Sequence, residues 1–292
     1  MDTFTPFTIS LVVKVSLDRS VTSLDDGSQT ASKLPKEMIL KVFDRRFAYS
    51  LRAFHKAPPA TYETEEAYRQ CMAAASNQDF LVLEQHMAAV VGPFHRDPKE
   101  APGYLLEHSV TLRATYYFED ECAEYKRLAH LQGKDVPIFY GTVEFASGLS
   151  APELDPPIQG VLIEAVPGVT LDKLDPGSVD VDRIIRGALR IVRALPELDI
   201  VNEDPRLGNF IAKPDGTVVM IDLAQSRIRD EAEDDEEWFE TRRGADEENR
   251  IEFEAEKLYG RLWVLDMQFS KEEAGEIRAI AGPWTKRATA QG

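Results

Sequence analysis

Two short β-rich runs joined by a turn stand out in the pattern of apolar and polar residues. Asn209–Ala212 and Thr217–Ile221 flank Pro214-Asp215-Gly216. Turn residues of this kind between two runs of β-forming residues predict a β-hairpin. The polar residues cluster at the outer ends of the hairpin, away from the turn.

Those outer ends carry three oxygen-bearing side chains. Asp204 and Asn209 lie at or before the start of the first strand, and Asp222 follows the second strand. Because a hairpin brings its outer ends side by side, we expect the three groups to converge. Two carboxylates and an amide are hard oxygen ligands that suit Mg²⁺. The alternative is an ordinary polar hairpin in which these residues act only as caps.

The N-terminal part of the chain reads as strands interrupted by helices. Phe7–Leu17 and Met38–Asp44 have the pattern of strands, and Lys41 lies inside the second apolar run. Burying an unpaired ammonium is unfavourable. The simplest interpretation therefore puts Lys41 on a solvated strand face, with its stem across apolar neighbours. Residues 57–103 contain helix-like pieces, Glu65–Ala75 and Phe80–Val91, and are interpreted as a helical insertion.

A long helix is predicted next, from Leu105 to Gln132, with Gly133 as its C-terminal stop. Glu121, Tyr125 and Leu128 share one face of it. A glutamate on that face points inward and needs a cation. Glu124 is a competing partner for that cation, and a solvated Glu121 is the simpler alternative.

The remaining elements follow from the same patterns. Val136–Val143 and the start of Gly160–Gly168 are predicted strands, and Val181–Leu195 is predicted to be an amphipathic helix. The acidic run Arg229–Trp238 is expected to be solvated and mobile, or else to dock a cationic partner. Helices are expected over Asp246–Met267 and Ser270–Ile280, with Leu258, Tyr259, Leu262 and Trp263 packed in a core.

Three sequence strings carry a family resemblance. They are D-x-x-x-x-N from Asp204 with a second Asp thirteen residues after Asn209, L-K-V-F-D-R-R-F-A from Leu40, and E-x-x-x-Y-x-x-L-x-x-L-Q-G from Glu121. Over about Phe7 to Asp246 the chain resembles a divergent group of protein-kinase-like proteins abundant in fungi. This group belongs to the protein kinase and aminoglycoside phosphotransferase superfamily.

The resemblance implies an α+β fold with two lobes. Residues 1–166 would form a small antiparallel β lobe, interrupted by the insertion at 57–103. Residues 167–292 would form a mainly helical large lobe that contains an acidic segment at 229–248. The expected function is a phosphotransferase that uses Mg²⁺ and ATP to phosphorylate a hydroxyl of a small molecule or an unusual protein.

The resemblance also assigns roles to residues at the phosphate end of the nucleotide. Asp204 would orient the acceptor hydroxyl, while Asn209 and Asp222 would hold Mg²⁺. Lys41 would contact the nucleotide phosphates. Arg206, close to Asp204, would neutralise charge that develops on the transferred phosphoryl group.

Other residues would steady the nucleotide. Glu121 would pair with Lys41, and the backbone near Glu164 to Val166 would hydrogen-bond the adenine. The chain departs from the family pattern at Asn202, where a histidine is usual, and at Ala224, where a glycine is usual. Only Gly27 precedes Lys41, so a glycine-rich loop is missing, and no Ala-Pro-Glu element is visible.

Because of these departures two other functions stay open. One is a catalytically degenerate kinase-like binding module, a pseudokinase. The other is a kinase-like fold used for different chemistry, such as nucleotidyl transfer or a biosynthetic reaction. Fold and function are separate inferences.

The composition of the chain restricts the classes of partner that it is expected to bind. The 292-residue chain has a formal net charge of −17, which disfavours nonspecific binding to nucleic acid or to anionic membranes. Two cysteines provide no disulfide framework, and no apolar run approaches a membrane span. The expected partners are a nucleotide and an unknown acceptor or protein, and the expected location is the cytoplasm.

Overall fold

The fold mixes helices with antiparallel sheets, as an α+β protein does. The computed structural model describes residues 2–4, 9–17, 34–54, 57–74, 103–145 and 157–260. By compactness the chain divides into a first unit, residues 1–119 with 140–163, and a second unit, residues 120–139 with 164–292. Each unit has its own sheet and its own core.

A sheet of five strands forms the centre of the first unit, in the order β1-β2-β3-β5-β4. The strands are β1 Asp2–Phe4, β2 Leu11–Ser16, β3 Glu37–Phe43, β4 Phe139–Phe145 and β5 Ile158–Glu164. β2 and β3 pair antiparallel, with Val12 opposite Lys41 and Val13 opposite Leu40. Gly160 permits close packing beside β3, because a Cβ there would lie 2.8 Å from the carbonyl oxygen of Lys41.

Helices of the first unit pack around a small apolar cluster. They are α1 Tyr49–Phe54, α2 Tyr62–Ala74 and the N-terminal part of α3, which runs Gly103–Arg127. Leu51 of α1 and Leu106, Val110 and Ala114 of α3 are buried together. The spacing of these α3 residues by four places one stripe of the helix on the cluster.

Beside this cluster lies a buried network of ionic side chains, formed by the Asp-Arg-Arg string and its neighbours. Arg52 donates to both carboxylate oxygens of Glu107, with 2.9 Å from Nη1 to Oε2, and to the carbonyl of Pro58. Arg45 pairs with Glu65 at 2.5 Å and approaches Glu107 at 3.7 Å. We call Arg45, Arg52, Glu65 and Glu107 the arginine network.

The second unit is built on a helix and a hairpin. Helix α4, Val181–Ala194, begins at Asp180, whose side chain accepts a hydrogen bond from the Arg183 amide. The hairpin consists of β8 Phe210–Ala212 and β9 Val218–Met220, and it pairs with β6 Val169–Thr170. The helix contacts β9 closely, since a Cβ on Gly187 would lie 2.8 Å from Val218.

The predicted apolar face of α4 is confirmed. Its inward residues Ile184, Ile185, Ala188, Leu189, Val192 and Leu195 are all buried. The hairpin residues that meet this core, Phe210, Val218, Val219 and Met220, are buried as well. Burial on this scale, at about 25 cal/mol per Å² of apolar surface, is the main stabilising term available to such short strands.

The acidic run Arg229–Trp238 is largely exposed, so the expectation that it is solvated is confirmed, and its C-terminal end begins a helix. Strands β7 Ile200–Asn202 and β10 Ser226–Ile228 pair antiparallel and lead into helix α5, Asp235–Ala245. Asp234 and Glu237 form a capping box at its start, and Arg229 pairs with Asp235. Acidic residues in a first helical turn favour the positive end of the helix dipole. They therefore stabilise the helix while their side chains remain exposed to solvent.

Helix α6, Glu247–Tyr259, follows α5 after one residue. That residue, Asp246, has a left-handed backbone with φ of 48°. α6 packs against α4, and Arg193 of α4 pairs with Glu248 of α6. The prediction that Leu258 packs in a core was wrong, because Leu258 is exposed on the outer face of α6. Trp263, Leu262 and the predicted helix Ser270–Ile280 lie outside the described residues.

Several predicted boundaries differ from the structure. Strand β2 begins at Leu11 rather than Phe7, and β4 begins at Phe139 rather than Val136. α3 ends at Arg127, so Gly133 is not its stop; a 3₁₀ turn at Ala129–Leu131 follows, and Gly133 lies beyond it with φ of 78°. Residues 80–91, predicted to be helical, lie outside the described residues. Among those that the structure describes, no helix is long and apolar enough to cross a membrane.

Candidate functional site

The polar end of the β8–β9 hairpin brings Asn209 and Asp222 side by side. Phe210 pairs with Met220 and Ala212 with Val218, and the Ile221 amide then donates to the Asn209 carbonyl at 2.8 Å. That bond extends the hairpin to the residue just before Asp222. The expected convergence at the outer ends is confirmed for the geometry, and the roles of the residues stay predictions.

Asp204 joins this cluster through several hydrogen bonds on one of its oxygens. Its Oδ2 accepts from Nε2 of Gln225 at 3.0 Å and from Nδ2 of Asn209 at 3.3 Å. An Arg206 guanidinium nitrogen lies 2.5 Å from the same oxygen. Oδ1 receives no hydrogen bond from the described residues. The carboxylate is therefore held at one oxygen and available at the other.

The amide of Asn209 is oriented by the same contacts. Its Nδ2 donates to the Asp204 carbonyl at 2.8 Å as well as to the Asp204 carboxylate. Both partners are acceptors, so the NH₂ group must face Asp204. Oδ1 of Asn209 is then the atom that remains to act as a ligand. The sequence identified Asn209, and the structure adds how its amide is turned.

Several effects shift the pKa of Asp204, and they act in opposite directions. Burial raises the pKa of Asp204 above its usual value, while the adjacent Arg206 guanidinium lowers the pKa and the charge of Asp222 raises it again. The net direction is upward. A carboxylate with a raised pKa is a better proton acceptor than an ordinary aspartate.

Asn202 links the two acids through the backbone, a role that the sequence did not reveal. Its Oδ1 accepts from the Asp204 amide at 2.8 Å, and its Nδ2 lies 3.5 Å from the Asp222 carbonyl oxygen. The Asn202 amide in turn donates to the carboxylate of Glu247 at 2.7 Å. An asparagine side chain supplies both the donor and the acceptor that these contacts need.

Gln225 was also missed by sequence reasoning. Its side chain donates to Asp204, and its carbonyl accepts from the Glu203 amide at 2.8 Å. It follows Asp222 by three residues, at the point where the chain turns into β10. No local pattern marks it, since an isolated glutamine in a loop is common.

Glu121, Glu124 and Tyr125 lie in the second unit and are fully buried. Burial, together with the charge of Glu121, raises the pKa of Glu124 well above its usual range. A carboxyl kept neutral in this way is poorly suited to pair with a cation. Of the two glutamates, Glu121 therefore stays the better candidate for that role, and its pairing with Lys41 stays a prediction.

Lys41 lies in β3 of the first unit with only 4% of its surface exposed. The interpretation that it sits on a solvated strand face is therefore wrong. Its neighbours along the strand, Val42 and Phe43, are buried too. A buried ammonium group needs a charged or polar partner, and the proposed role of Lys41 toward the nucleotide phosphates stays a prediction.

Glu164 is the last residue of β5 and Val166 follows two residues later, where the chain enters the second unit. The Glu164 amide donates to the Ile138 carbonyl at 2.9 Å, and the Ile138 amide donates to the Glu164 carboxylate at 3.2 Å. The Val166 amide donates to the Glu164 carbonyl at 3.1 Å. These bonds fix the local backbone, and its expected contact with adenine stays a prediction.

A metal held by this cluster would need oxygen ligands from elsewhere. Within the part of the chain that the structure describes, no group of three or more His, Cys, Asp or Glu side chains could hold a metal ion. Asn209 and Asp222 offer one amide and one carboxylate. That donor set fits Mg²⁺, which takes few protein ligands and completes its shell with water and phosphate oxygens.

Comparisons with known protein families and with curated proteins give no match. Among solved structures, one of WbdD described as a bifunctional kinase-methyltransferase is 16% identical, covers 60% of this chain and 42% of WbdD, and has a TM-score of 0.33. A 2.2 Å structure of WbdD is 17% identical, covers 62% of this chain and 43% of WbdD, and has a TM-score of 0.32. The chain thus spans less than half the length of those WbdD chains. Likenesses at these TM-scores carry no argument about this chain.

Proposed function

We propose that this protein is a phosphotransferase that uses Mg²⁺ and ATP to phosphorylate a hydroxyl of a small molecule or an unusual protein. The proposal rests on the way the two carboxylate oxygens of Asp204 are hydrogen-bonded. Its Oδ2 is held by Arg206, Gln225 and Asn209, while Oδ1 has no hydrogen bond from the described residues. A carboxylate used only to cap a hairpin has no need of such an arrangement.

In this proposal Asp204 positions the acceptor. The acceptor hydroxyl would donate to Oδ1, which the other contacts turn away from Asn209 and Gln225. The raised pKa of Asp204 makes Oδ1 a better proton acceptor than an exposed aspartate. Positioning of this kind is the main contribution that a protein makes to phosphoryl transfer.

Asn209 and Asp222 would hold Mg²⁺ in the proposal. The Asn209 Oδ1 and the Asp222 carboxylate lie at the same end of the hairpin, because the Ile221–Asn209 backbone bond joins their strands. When bound there, the ion would neutralise charge on the nucleotide phosphates. The hydrogen bonds of Asn209 to Asp204 would keep the metal ligand and the acceptor-binding oxygen in fixed relation.

Arg206 would stabilise charge on the transferred group. One guanidinium nitrogen pairs with Asp204, while its buried Nε has no hydrogen-bond partner among the described residues. The side chain as a whole is 43% exposed, so guanidinium donors on its exposed side can reach a phosphoryl oxygen. An arginine shared between a carboxylate and a phosphoryl group suits its planar set of donors.

The remaining roles complete the proposal. Lys41 would contact the phosphates, Glu121 would pair with Lys41, and the backbone at Glu164 and Val166 would hydrogen-bond the adenine. These roles belong to a bilobal kinase-like fold with a small lobe at 1–166 and a large lobe at 167–292. The insertion at 57–103 and the acidic segment at 229–248 would be additions to it.

The proposed reaction needs no reactant besides ATP and the acceptor. The oxygen of the acceptor hydroxyl forms a bond to the γ-phosphorus as the bond from that phosphorus to the β,γ-bridging oxygen breaks. ADP leaves with the electron pair of the broken bond. The hydroxyl proton passes to Asp204 Oδ1 and from there to solvent.

The experiment that tests the proposal is a thermal-denaturation titration with ATP and Mg²⁺, on wild type and on Asp222→Ala. A ligand that binds only the folded protein raises the melting temperature as its concentration increases. We expect a Mg²⁺-dependent rise for wild type that Asp222→Ala abolishes. Glu240→Ala, an exposed change in α5, serves as the matched control and should behave as wild type.

The outcomes separate the candidate functions. No rise up to millimolar ATP would exclude the phosphotransferase and favour other chemistry or a binding module without nucleotide. A rise that does not depend on Mg²⁺ and survives Asp222→Ala would favour a pseudokinase. With the expected rise, hydroxyl compounds and peptides are screened as acceptors with γ-labelled ATP, and Asp204→Asn is the inactive comparison.

A further inference from the structure

The segment Asp204–Asn209 lacks a cap of its own. The 3₁₀ turn Leu207–Asn209 begins at Arg206, whose side chain makes no capping hydrogen bond. The first amide of the turn, that of Leu207, belongs to a fully buried residue. A buried amide without an acceptor is unfavourable, so another part of the chain must supply one.

Helix α6 supplies that acceptor through Glu254. Its Oε2 accepts from the Leu207 amide at 2.8 Å. The turn then closes on itself, because the Asn209 amide donates to the Arg206 carbonyl at 2.8 Å and the Phe210 amide donates to the Leu207 carbonyl. Glu254 therefore replaces the missing cap from a distant element, forty-seven residues further along the chain.

The register of α6 makes this contact specific. Glu247 accepts from the Asn202 amide at 2.7 Å, and Arg250 donates to the Glu203 carbonyl at 2.7 Å. Glu247, Arg250 and Glu254 follow one another at spacings of three and four, which puts them on one face of the helix. One helical face thus contacts the backbone on both sides of Asp204.

We infer that Glu254 is a positioning residue, which fixes the turn that carries Asn209 and thereby the geometry between the Asn209 amide and the Asp204 carboxylate. The inference rests on the proposed function in so far as Asn209 is a metal ligand. Glu254 itself touches neither the nucleotide nor the acceptor in this proposal. It acts through the backbone of Leu207 on the orientation of Asn209.

The test compares Glu254→Ala and Glu254→Gln with the control Glu256→Ala, an exposed change on the same helix. The first readout is amide hydrogen exchange of Leu207 in the native protein. We expect exchange roughly tenfold faster or more in Glu254→Ala, because a bond to a charged acceptor is lost. Glu254→Gln, which keeps a carbonyl acceptor, should restore part of the protection, and Glu256→Ala should match wild type.

The second readout distinguishes positioning from simple stability. ATP affinity is measured with and without Mg²⁺. Glu254→Ala should weaken the Mg²⁺-dependent affinity roughly tenfold and leave the Mg²⁺-free affinity unchanged, because only the metal uses Asn209. Faster exchange at Leu207 with an unchanged Mg²⁺ dependence would overturn the inference, and so would unchanged exchange at Leu207.

A third readout separates this inference from the proposed function. The side-chain amide signals of Asn209 in ¹⁵N NMR report its hydrogen bonds to Asp204 without any ligand. If wild type fails to bind ATP with Mg²⁺, the proposed function falls, and these signals decide the inference instead. Signals that move in Glu254→Ala and return in Glu254→Gln support it, while signals that stay in place in Glu254→Ala overturn it.

Discussion

The arginine network of the first unit and a second group of charged side chains can be compared. The second group, Asp204, Arg206 and Asp222 of the second unit, is called the Asp204 cluster. The two groups differ in how far their charged side chains are buried and paired. In the arginine network, Arg45 and Arg52 face Glu65 and Glu107, so cations equal anions. In the other cluster, Asp204 pairs with Arg206, whose side chain is 43% exposed, and the charge of Asp222 raises the pKa of Asp204. The buried and paired group fixes structure, while the more exposed group is open to a ligand.

We therefore expect mutations in the arginine network to lower the stability of the protein. Glu107→Ala leaves two buried guanidinium groups without their shared carboxylate, and we expect a loss of about 3–5 kcal/mol in the free energy of unfolding. Urea denaturation measures this. The control Glu240→Ala removes an exposed partner of Arg243 and should change the free energy by less than about 1 kcal/mol. A loss below about 1 kcal/mol in Glu107→Ala would show that the network contributes little.

A further buried acidic side chain, that of Glu247 in α6, accepts a hydrogen bond from the Asn202 amide near Asp204. Burial raises its pKa from 4.5 to about 8, against the hydrogen bond from the Asn202 amide and the charges of Arg242 and Arg250, with Glu248 adding to the rise. Because the folded-state pKa is raised, the folded protein favours the protonated carboxyl. That contribution is complete below pH 4.5 and is lost as the pH rises through about 8.

Glu247→Gln keeps an acceptor for the Asn202 amide and cannot ionise. We expect its stability relative to wild type to increase from about pH 5 to about pH 8, by an amount on the order of 3 kcal/mol. Urea denaturation across this range checks the slope. A difference that is independent of pH would mean that Glu247 ionises in the folded protein as it does in the unfolded chain.

Within the Asp204 cluster, the expected effect is kinetic. Asp204→Asn preserves the shape of the side chain and removes the proton-accepting oxygen, so the rate of phosphoryl transfer should fall roughly 100-fold. The Mg²⁺-dependent rise in melting temperature should persist, since the proposed metal ligands are unchanged. Loss of that rise in Asp204→Asn would instead make Asp204 part of the nucleotide site.

The smallest effect concerns Arg206, which pairs with Asp204. Arg206→Gln removes the charge that lowers the pKa of Asp204, while burial and Asp222 still raise it. The acidic limb of the pH–rate profile should therefore move to higher pH. A limb that stays in place would show that Arg206 and Asp204 do not interact in the working enzyme.

Local patterns predicted the parts of the fold that depend on neighbouring residues. Pro214-Asp215-Gly216 marks its turn through its own backbone preferences, and Gly216 has the expected positive φ of 80°. The α4 face follows from its spacing. Convergence of Asp204, Asn209 and Asp222 followed from hairpin topology, so the centre of the candidate site could be found from sequence.

Features that depend on distant contacts could not be found in this way. Gln225 and Glu254 act through partners far along the chain, and no local pattern marks them. The end of α3 was misjudged because Leu128 and Leu131, three residues apart and both buried, fit a 3₁₀ turn as well as an α-helix. The acidic segment did carry a readable signal, since Asp234 and Glu237 have capping-box spacing.

The two ends of the β8–β9 hairpin differ in how well they would tolerate inserted residues. At one end Asn209 and Asp222 are fixed by hydrogen bonds, while at the other the Pro214–Gly216 turn is open to solvent, apart from contacts with Arg183. Exposed turns of this kind accept inserted residues far better than hydrogen-bonded loops. A peptide tag or fluorescent reporter placed after Asp215 would therefore lie at the far end of the hairpin from the cluster, and the protein could be labelled there without altering the residues proposed to react.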